Sequence, residues 1–129
     1  MSKKIASFYE DELNRFTLSI SFYLEEILKI ENSLDGIVRR NSIVGIAAKV
    51  EVHQLMLNKV SDKLKLLLDE LRSFKVVLKP NGVLLKNDAI TKEMENQIKI
   101  MSTSFKNTEQ EYTDVKYYCN NFLDEMLKK

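Results

Sequence analysis

Apolar residues recur along three long stretches of the chain at alternating spacings of three and four. In the first stretch the recurring residues are Leu13, Phe16, Ile20, Tyr23, Ile27, Ile30, Leu34 and Ile37. This heptad spacing keeps one apolar seam facing a neighbouring helix along the whole stretch. It therefore predicts a long helix that needs partner helices of similar length.

The second and third stretches repeat the pattern. The second seam consists of Ile46, Val50, His53, Leu57, Val60, Leu64, Leu67, Leu71, Phe74 and Leu78. The third seam consists of Thr91, Met94, Ile98, Met101, Phe105, Thr108, Tyr112, Val115, Cys119, Phe122 and Met126. Because the 129 residues include only three glycines and one proline, few helix breakers compete with this pattern.

Two short breaks separate the stretches. At Asn41-Ser42 we expect the asparagine to end the first helix and the serine to cap the second. At Pro80-Asn81-Gly82 the proline ends the second helix and Asn-Gly supplies a turn, with Asn87 or Asp88 as the cap of the third helix. A connection as short as the first one places its two helices side by side and antiparallel, and we expect the third helix to return along them.

The sequence thus predicts an all-α fold, an elongated antiparallel three-helix bundle with up-down-up topology and coiled-coil-like packing. We expect a single domain over residues 1–129, with helices at about 6–40, 43–78 and 88–127. The segment Val76 to Lys86 also fits two short strands around an Asn-Gly turn. Since an isolated hairpin is marginal in water, and since Phe74 and Leu78 continue the helical seam, a helix end with an irregular linker is favoured.

Several apolar residues lie off the seams. We assign Leu24, Met56 and Leu68 to the core, because the buried face of a bundle helix is wider than the heptad seam alone. The remaining ones are candidates for a partner surface: Leu18, Phe22, Val52, Leu55 and Leu66. Scattered apolar residues are also normal on protein surfaces, so a compact monomer and a dimer that buries them both stay open.

His53 is the one strongly polar residue in the second seam. It suggests a small-ligand or pH-sensing site with Thr108 and Tyr112 on the third helix. The simpler interpretation is a histidine that hydrogen-bonds one of these two neighbours. The aromatic residues of the first and third stretches are assigned to opposite poles of the rod, so no common aromatic pocket is expected.

Composition argues against several classes of function. The 20 basic and 19 acidic residues are interleaved, so we expect no nucleic-acid partner. No seam contains an acid and the chain has one histidine, so we expect no metal, cofactor or catalytic site. The single cysteine and the charged N-terminal region favour the cytoplasm, and no stretch is long and apolar enough for a membrane span.

The stretch from Phe22 to Leu71 resembles a group of short uncharacterised helical proteins of Bacteroidetes, through Phe22-Tyr23 with Glu26, the break at Asn41, and Val50-Glu51 with Gln54. The resemblance implies a helical bundle and carries no site residues. We therefore expect a non-enzymatic interaction or structural protein that self-associates or binds a partner helix. The alternative is the ligand or pH sensor built on His53 and the tyrosines.

Overall fold

The computed structural model describes residues 5–40 and 43–127, and within these ranges it shows the predicted three-helix bundle. The helices are α1 (Ile5–Arg40), α2 (Ile46–Leu78) and α3 (Lys92–Leu127); they pack against one another, and the described ranges contain no strand. Lys79, the residue after α2, pairs with Glu10 near the start of α1 at 3.0 Å. Gln54 near the start of α2 donates to Asp35 near the end of α1 at 2.9 Å. α2 therefore runs antiparallel to α1, and α3 returns in the direction of α1.

Most residues of the heptad seams form one continuous core between the three helices, whereas Thr91, His53 and Thr108 lie outside it. Leu68 is buried, and Leu24 and Met56 pack against the core, as predicted from the width of the buried face. The side chains that are almost completely enclosed are Leu13, Ile20, Ile27, Leu34, Val50, Leu57, Val60, Leu64, Leu71, Leu78 and Cys119. Burial of these apolar groups is the main term that holds the helices together.

α2 begins at Ile46, three residues later than predicted. Gly45 is the residue before the helix, and its left-handed φ of 91° is a conformation that glycine adopts without strain. Its carbonyl accepts the first hydrogen bond of the helix, from the Lys49 amide at 3.1 Å. The expected roles of Asn41 and Ser42 lie outside the described residues.

The connection between α2 and α3 is a helix end followed by an irregular linker. Residues Pro80–Gly82 form a 3-10 turn after α2 ends at Leu78. The amide of Leu85 donates to the Leu78 carbonyl at 2.8 Å, which folds the linker back over the end of α2. The hairpin interpretation of residues 76–86 is wrong because its first three residues are helical.

α3 begins at Lys92, later than the predicted residue 88. Its cap is Thr91, whose hydroxyl oxygen accepts the Met94 amide at 3.1 Å. Asn87, one of the two expected caps, lies in a 3-10 turn, and its side-chain oxygen accepts the amide of Ala6 at 3.0 Å. The asparagine thus binds the first turn of α1 instead of starting α3.

Candidate interaction surface

Aromatic side chains of α1 and α3 meet in the middle of the bundle. The rings of Phe16 and Phe105 stack at 4.3 Å, and those of Tyr23 and Tyr112 stack at 4.5 Å. The expectation of no common aromatic pocket is wrong. Tyr23 follows the first residue of α1 by 18 positions, and Tyr112 follows the first residue of α3 by 20. Parallel helices that start at the same end of the bundle bring these positions to one level.

Each stacked tyrosine donates its hydroxyl to a carboxylate on the opposite helix. Tyr23 donates to Glu109, and Tyr112 donates to Glu26. The ammonium nitrogen of Lys116 lies 2.9 Å from the same Glu26 oxygen and 5.9 Å from the centre of the Tyr112 ring. Charge-assisted hydrogen bonds of this kind are stronger than neutral ones, so they fasten α1 to α3.

The protonation of these groups follows from their surroundings. Burial, together with the hydrogen bond to Glu109, raises the pKa of Tyr23 to about 12. Burial and the Glu26 contact raise the pKa of Tyr112 further above its ordinary value. The hydrogen bonds from Tyr112 and Lys116 lower the pKa of Glu26. At neutral pH the tyrosines are therefore protonated donors and Glu26 is a charged acceptor.

Beside this polar network lies an open groove with an apolar rim on α1 and a mixed rim on α3, where Tyr117 lies among polar residues. Leu18 and Phe22 on α1 are 71% and 55% exposed, and Tyr117 on α3 is 66% exposed. A depression of about 390 Å³ lies beside Phe22 and Tyr117, and one of about 490 Å³ lies beside Leu18, next to it along the same two helices. The residues that line the two depressions, called here the α1–α3 groove, are Arg15, Phe16, Leu18, Ser19, Phe22, Tyr23, Glu26, Phe105, Lys106, Glu109, Tyr112, Thr113, Lys116, Tyr117 and Asn120.

The five residues predicted as a partner surface are all exposed, but they lie on two faces. Leu18 and Phe22 belong to the α1–α3 groove. Val52, Leu55 and Leu66 lie on the outer face of α2, turned away from the buried residues of that helix. Leu55 and Leu66 are three helical turns apart, so they form no compact patch.

The structure separates His53 from Thr108 and Tyr112. The His53 ring stacks on Phe122 at 4.4 Å, and its Nδ1 lies 2.9 Å from the carbonyl oxygen of Lys49. Because α2 and α3 are antiparallel, Tyr112 lies ten residues from the level of His53, about 15 Å along the helix. The hydroxyl of Tyr112 already donates to a carboxylate on α1. No shared histidine and tyrosine site is formed by these three residues.

Cys119 is completely buried between the helices, and burial raises the pKa of its thiol to about 11. Thiolate, the reactive form of cysteine, is therefore scarce at neutral pH. The described residues contain no cluster of three or more His, Cys, Asp or Glu side chains able to hold a metal ion. Within the same residues, no helix combines the length and the apolar character that crossing a bilayer requires.

Glu26, Glu109 and Lys116 were not predicted as site residues, because they are polar residues that lie outside the apolar seams. Glu26 directly precedes a seam residue of α1, and Lys116 directly follows one of α3. These flanking heptad positions are where helices of a coiled coil exchange ion pairs. An acid beside the α1 seam and a lysine beside the α3 seam could therefore have predicted an ion pair between these two helices.

Comparisons of the chain with protein-family models, with curated proteins and with solved structures found no match.

Proposed function

We propose that this chain is a non-enzymatic, cytoplasmic interaction protein that binds a helix in the α1–α3 groove. The observation that carries the proposal is the exposure of Leu18, Phe22 and Tyr117 on the two rims of one groove. Aromatic residues of this kind are enriched at the centres of protein interfaces. A docked partner would remove these apolar side chains from water, and their burial would contribute free energy to binding.

The shape of the groove suits a helix. It extends along two parallel helices, and Leu18 and Phe22 are one turn apart on its α1 rim. An amphipathic helix binds such a groove by laying its apolar face between the rims. The stacked rings and the tyrosine–carboxylate bonds hold the floor in place without a partner, so little ordering is required on binding.

The chemistry of the polar groups supports binding over catalysis. The tyrosines have raised pKa values and are engaged as donors, which is the opposite of what a general base or nucleophile needs. The Cys119 thiol is enclosed and protonated. The alternative hypothesis, a ligand or pH sensor, requires His53 to lie beside the tyrosines. Tyr112 lies about 15 Å along α3 from the level of His53, so the two residues do not share a binding site.

Site-specific photo-crosslinking in the native cell tests this proposal. A benzoylphenylalanine placed at Leu18 or Phe22 should yield a discrete protein adduct that mass spectrometry identifies. The same probe at Leu55 or Leu66 serves as a matched control, since these leucines are as exposed but lie on the outer face of α2. Equal labelling from both faces, or none from the groove, would contradict the proposal.

A further inference from the structure

The outward side of α1 carries a row of six exposed residues at spacings of four, three, four, three and four. The row, called here the α1 stripe, consists of Asp11, Arg15, Leu18, Phe22, Glu25 and Lys29. This spacing returns to the same side of an α-helix, and the row lies on the side of α1 opposite its buried seam. The α1 stripe extends over 18 residue steps, about 27 Å along the helix. Three of its residues, Arg15, Leu18 and Phe22, also line the α1–α3 groove.

The order of residues in the α1 stripe is complementary to its own reverse. When the stripe is placed antiparallel on that of a second copy, with the crossing point at Ile20, each charged residue faces one of opposite charge and each apolar residue faces an apolar one. The facing pairs are Asp11 with Lys29, Arg15 with Glu25, and Leu18 with Phe22. Because a two-fold axis generates every pair twice, such a contact has four opposite-charge pairs around two apolar pairs.

We propose that the helix bound by this protein is α1 of a second copy, packed antiparallel on the α1 stripe with a two-fold axis at the level of Ile20. This inference rests on the proposed function, because Leu18 and Phe22, the α1 rim of the groove, form the apolar centre of the contact. It identifies the partner helix as a second α1 that lies against this rim. The resulting dimer has a small apolar centre, formed by Leu18 and Phe22 of both copies, and a charged rim.

Other arrangements of the same two stripes are disfavoured by their charges. A parallel pairing in register places each charge against an identical one, for example Arg15 against Arg15. An antiparallel pairing shifted by one heptad places Leu18 opposite either Arg15 or Lys29. Since like-charge contacts and unmatched apolar groups both cost free energy, the sequence of the stripe selects one orientation and one register.

The charges of the α1 stripe are available for this contact. Asp11 and Arg15 are one turn apart, and so are Glu25 and Lys29, yet within the described part of the chain none of the four is in an ion pair. In the bundle they face solvent. Exposed ion pairs add little affinity, so we expect them to set orientation while the apolar centre supplies the attraction.

Charge reversal tests the dimer. Sedimentation velocity over a wide range of protein concentration should show wild type moving from monomer to dimer. Arg15→Glu places acid against Glu25 twice in the dimer, so we expect the dimer dissociation constant to rise at least about tenfold. Adding Glu25→Arg to that variant restores both pairs and should return the constant to near the wild-type value. Lys59→Glu, the same charge change on the outer face of α2, should leave it unchanged.

A wild type that stays monomeric at all concentrations, or a double variant that is no better than Arg15→Glu, would overturn the dimer. Circular dichroism of each variant establishes that the bundle is folded. The crosslinking experiment at Leu18 separates the two proposals. An adduct of twice the chain mass supports the dimer, an adduct with a different protein refutes it while the docking function stands, and no adduct refutes both.

Discussion

Glu26 is the residue on which the polar contacts between α1 and α3 converge. Its carboxylate accepts hydrogen bonds from Tyr112 and Lys116, and these bonds lower its pKa. Replacing it by Glu26→Gln removes the charge but keeps the shape. We expect the free energy of unfolding at neutral pH to fall by about 1.5–3 kcal/mol, as for a hydrogen bond to a charged group. Urea titration of both proteins measures the difference.

The acid dependence of this effect has a defined sign. The pKa of Glu26 is lower in the folded state than its ordinary value of 4.5. The charged carboxylate therefore stabilises the fold above pH 4.5, and this contribution is lost as the pH falls through the lower folded value. The gap between wild type and Glu26→Gln should narrow in that acidic range. Glu70→Gln, at an exposed position on α2, is the control for the loss of one negative charge.

Tyr23 gives the corresponding prediction at alkaline pH. Its folded pKa of about 12 lies above the ordinary value of 10.0. The protonated hydroxyl therefore stabilises the fold below pH 10, and the contribution declines as the pH rises from 10 towards 12. Tyr23→Phe should lose less unfolding free energy than wild type over that range. Parallel urea titrations at pH 9 and 11 give the comparison, with Tyr118→Phe at an exposed tyrosine as the control for the loss of one hydroxyl group.

At the scale of the helices, substitution by alanine should change the unfolding free energy in opposite directions at Gly36 and Gly45. Gly36 lies inside α1, and a Cβ there would meet only the end of the Arg40 side chain at 3.5 Å. Gly36→Ala should therefore raise the unfolding free energy by about 0.5–1 kcal/mol, because alanine has the better helix propensity. Gly45 has a φ of 91° with open space around it, so Gly45→Ala introduces strain without a clash. We expect a loss of about 1 kcal/mol.

Thermal unfolding followed by circular dichroism measures both glycine variants. The expected result is a higher melting temperature for Gly36→Ala and a lower one for Gly45→Ala. A higher melting temperature for Gly45→Ala would contradict the left-handed conformation of the residue before α2, and a lower one for Gly36→Ala would contradict the open space at position 36. The pair is informative because the chemical change is the same and the difference lies in backbone conformation.

The helices were predictable because their seams are long, whereas their ends depend on single contacts. The second seam has ten members at heptad spacing, and a helix is the only type of element that places all ten on one side. Gly45 carries no comparable signal, since Ile43 and Val44 before it look like a continued apolar run. Asn87 caps Ala6, a residue 81 positions away, and no local pattern reports such a contact.

The groove was predictable in part. Its α1 rim, Leu18 and Phe22, follows from apolar residues that lie off the seam. Its floor depends on the level at which α1 and α3 lie beside each other, because Tyr23 meets Tyr112 only in one register. That register is set by the lengths of two connections, and the second contains two 3-10 turns that shift the start of α3. Spacing within a helix cannot give this information.

At the scale of the whole molecule, the bundle has one core that all three helices share along their length. Leu57 of α2 is fully enclosed, whereas Leu55, two residues earlier, is 62% exposed. These two leucines differ in surroundings and hardly at all in helix propensity. Comparing alanine substitutions at the two positions therefore separates the contribution of the shared core to the unfolding free energy from that of helix formation itself.

Leu57→Ala should lower the unfolding free energy by about 2–5 kcal/mol, because it removes buried methyl groups and leaves a cavity between three helices. Leu55→Ala should change it by no more than about 0.5 kcal/mol. Since each helix buries its seam only against the other two, the loss should be shared by all three. Circular dichroism of the helices and fluorescence of the tyrosines between α1 and α3 should thus report one coincident transition. Two separate transitions in Leu57→Ala would mean that α1 and α3 remain paired without α2, and the single core would be refuted.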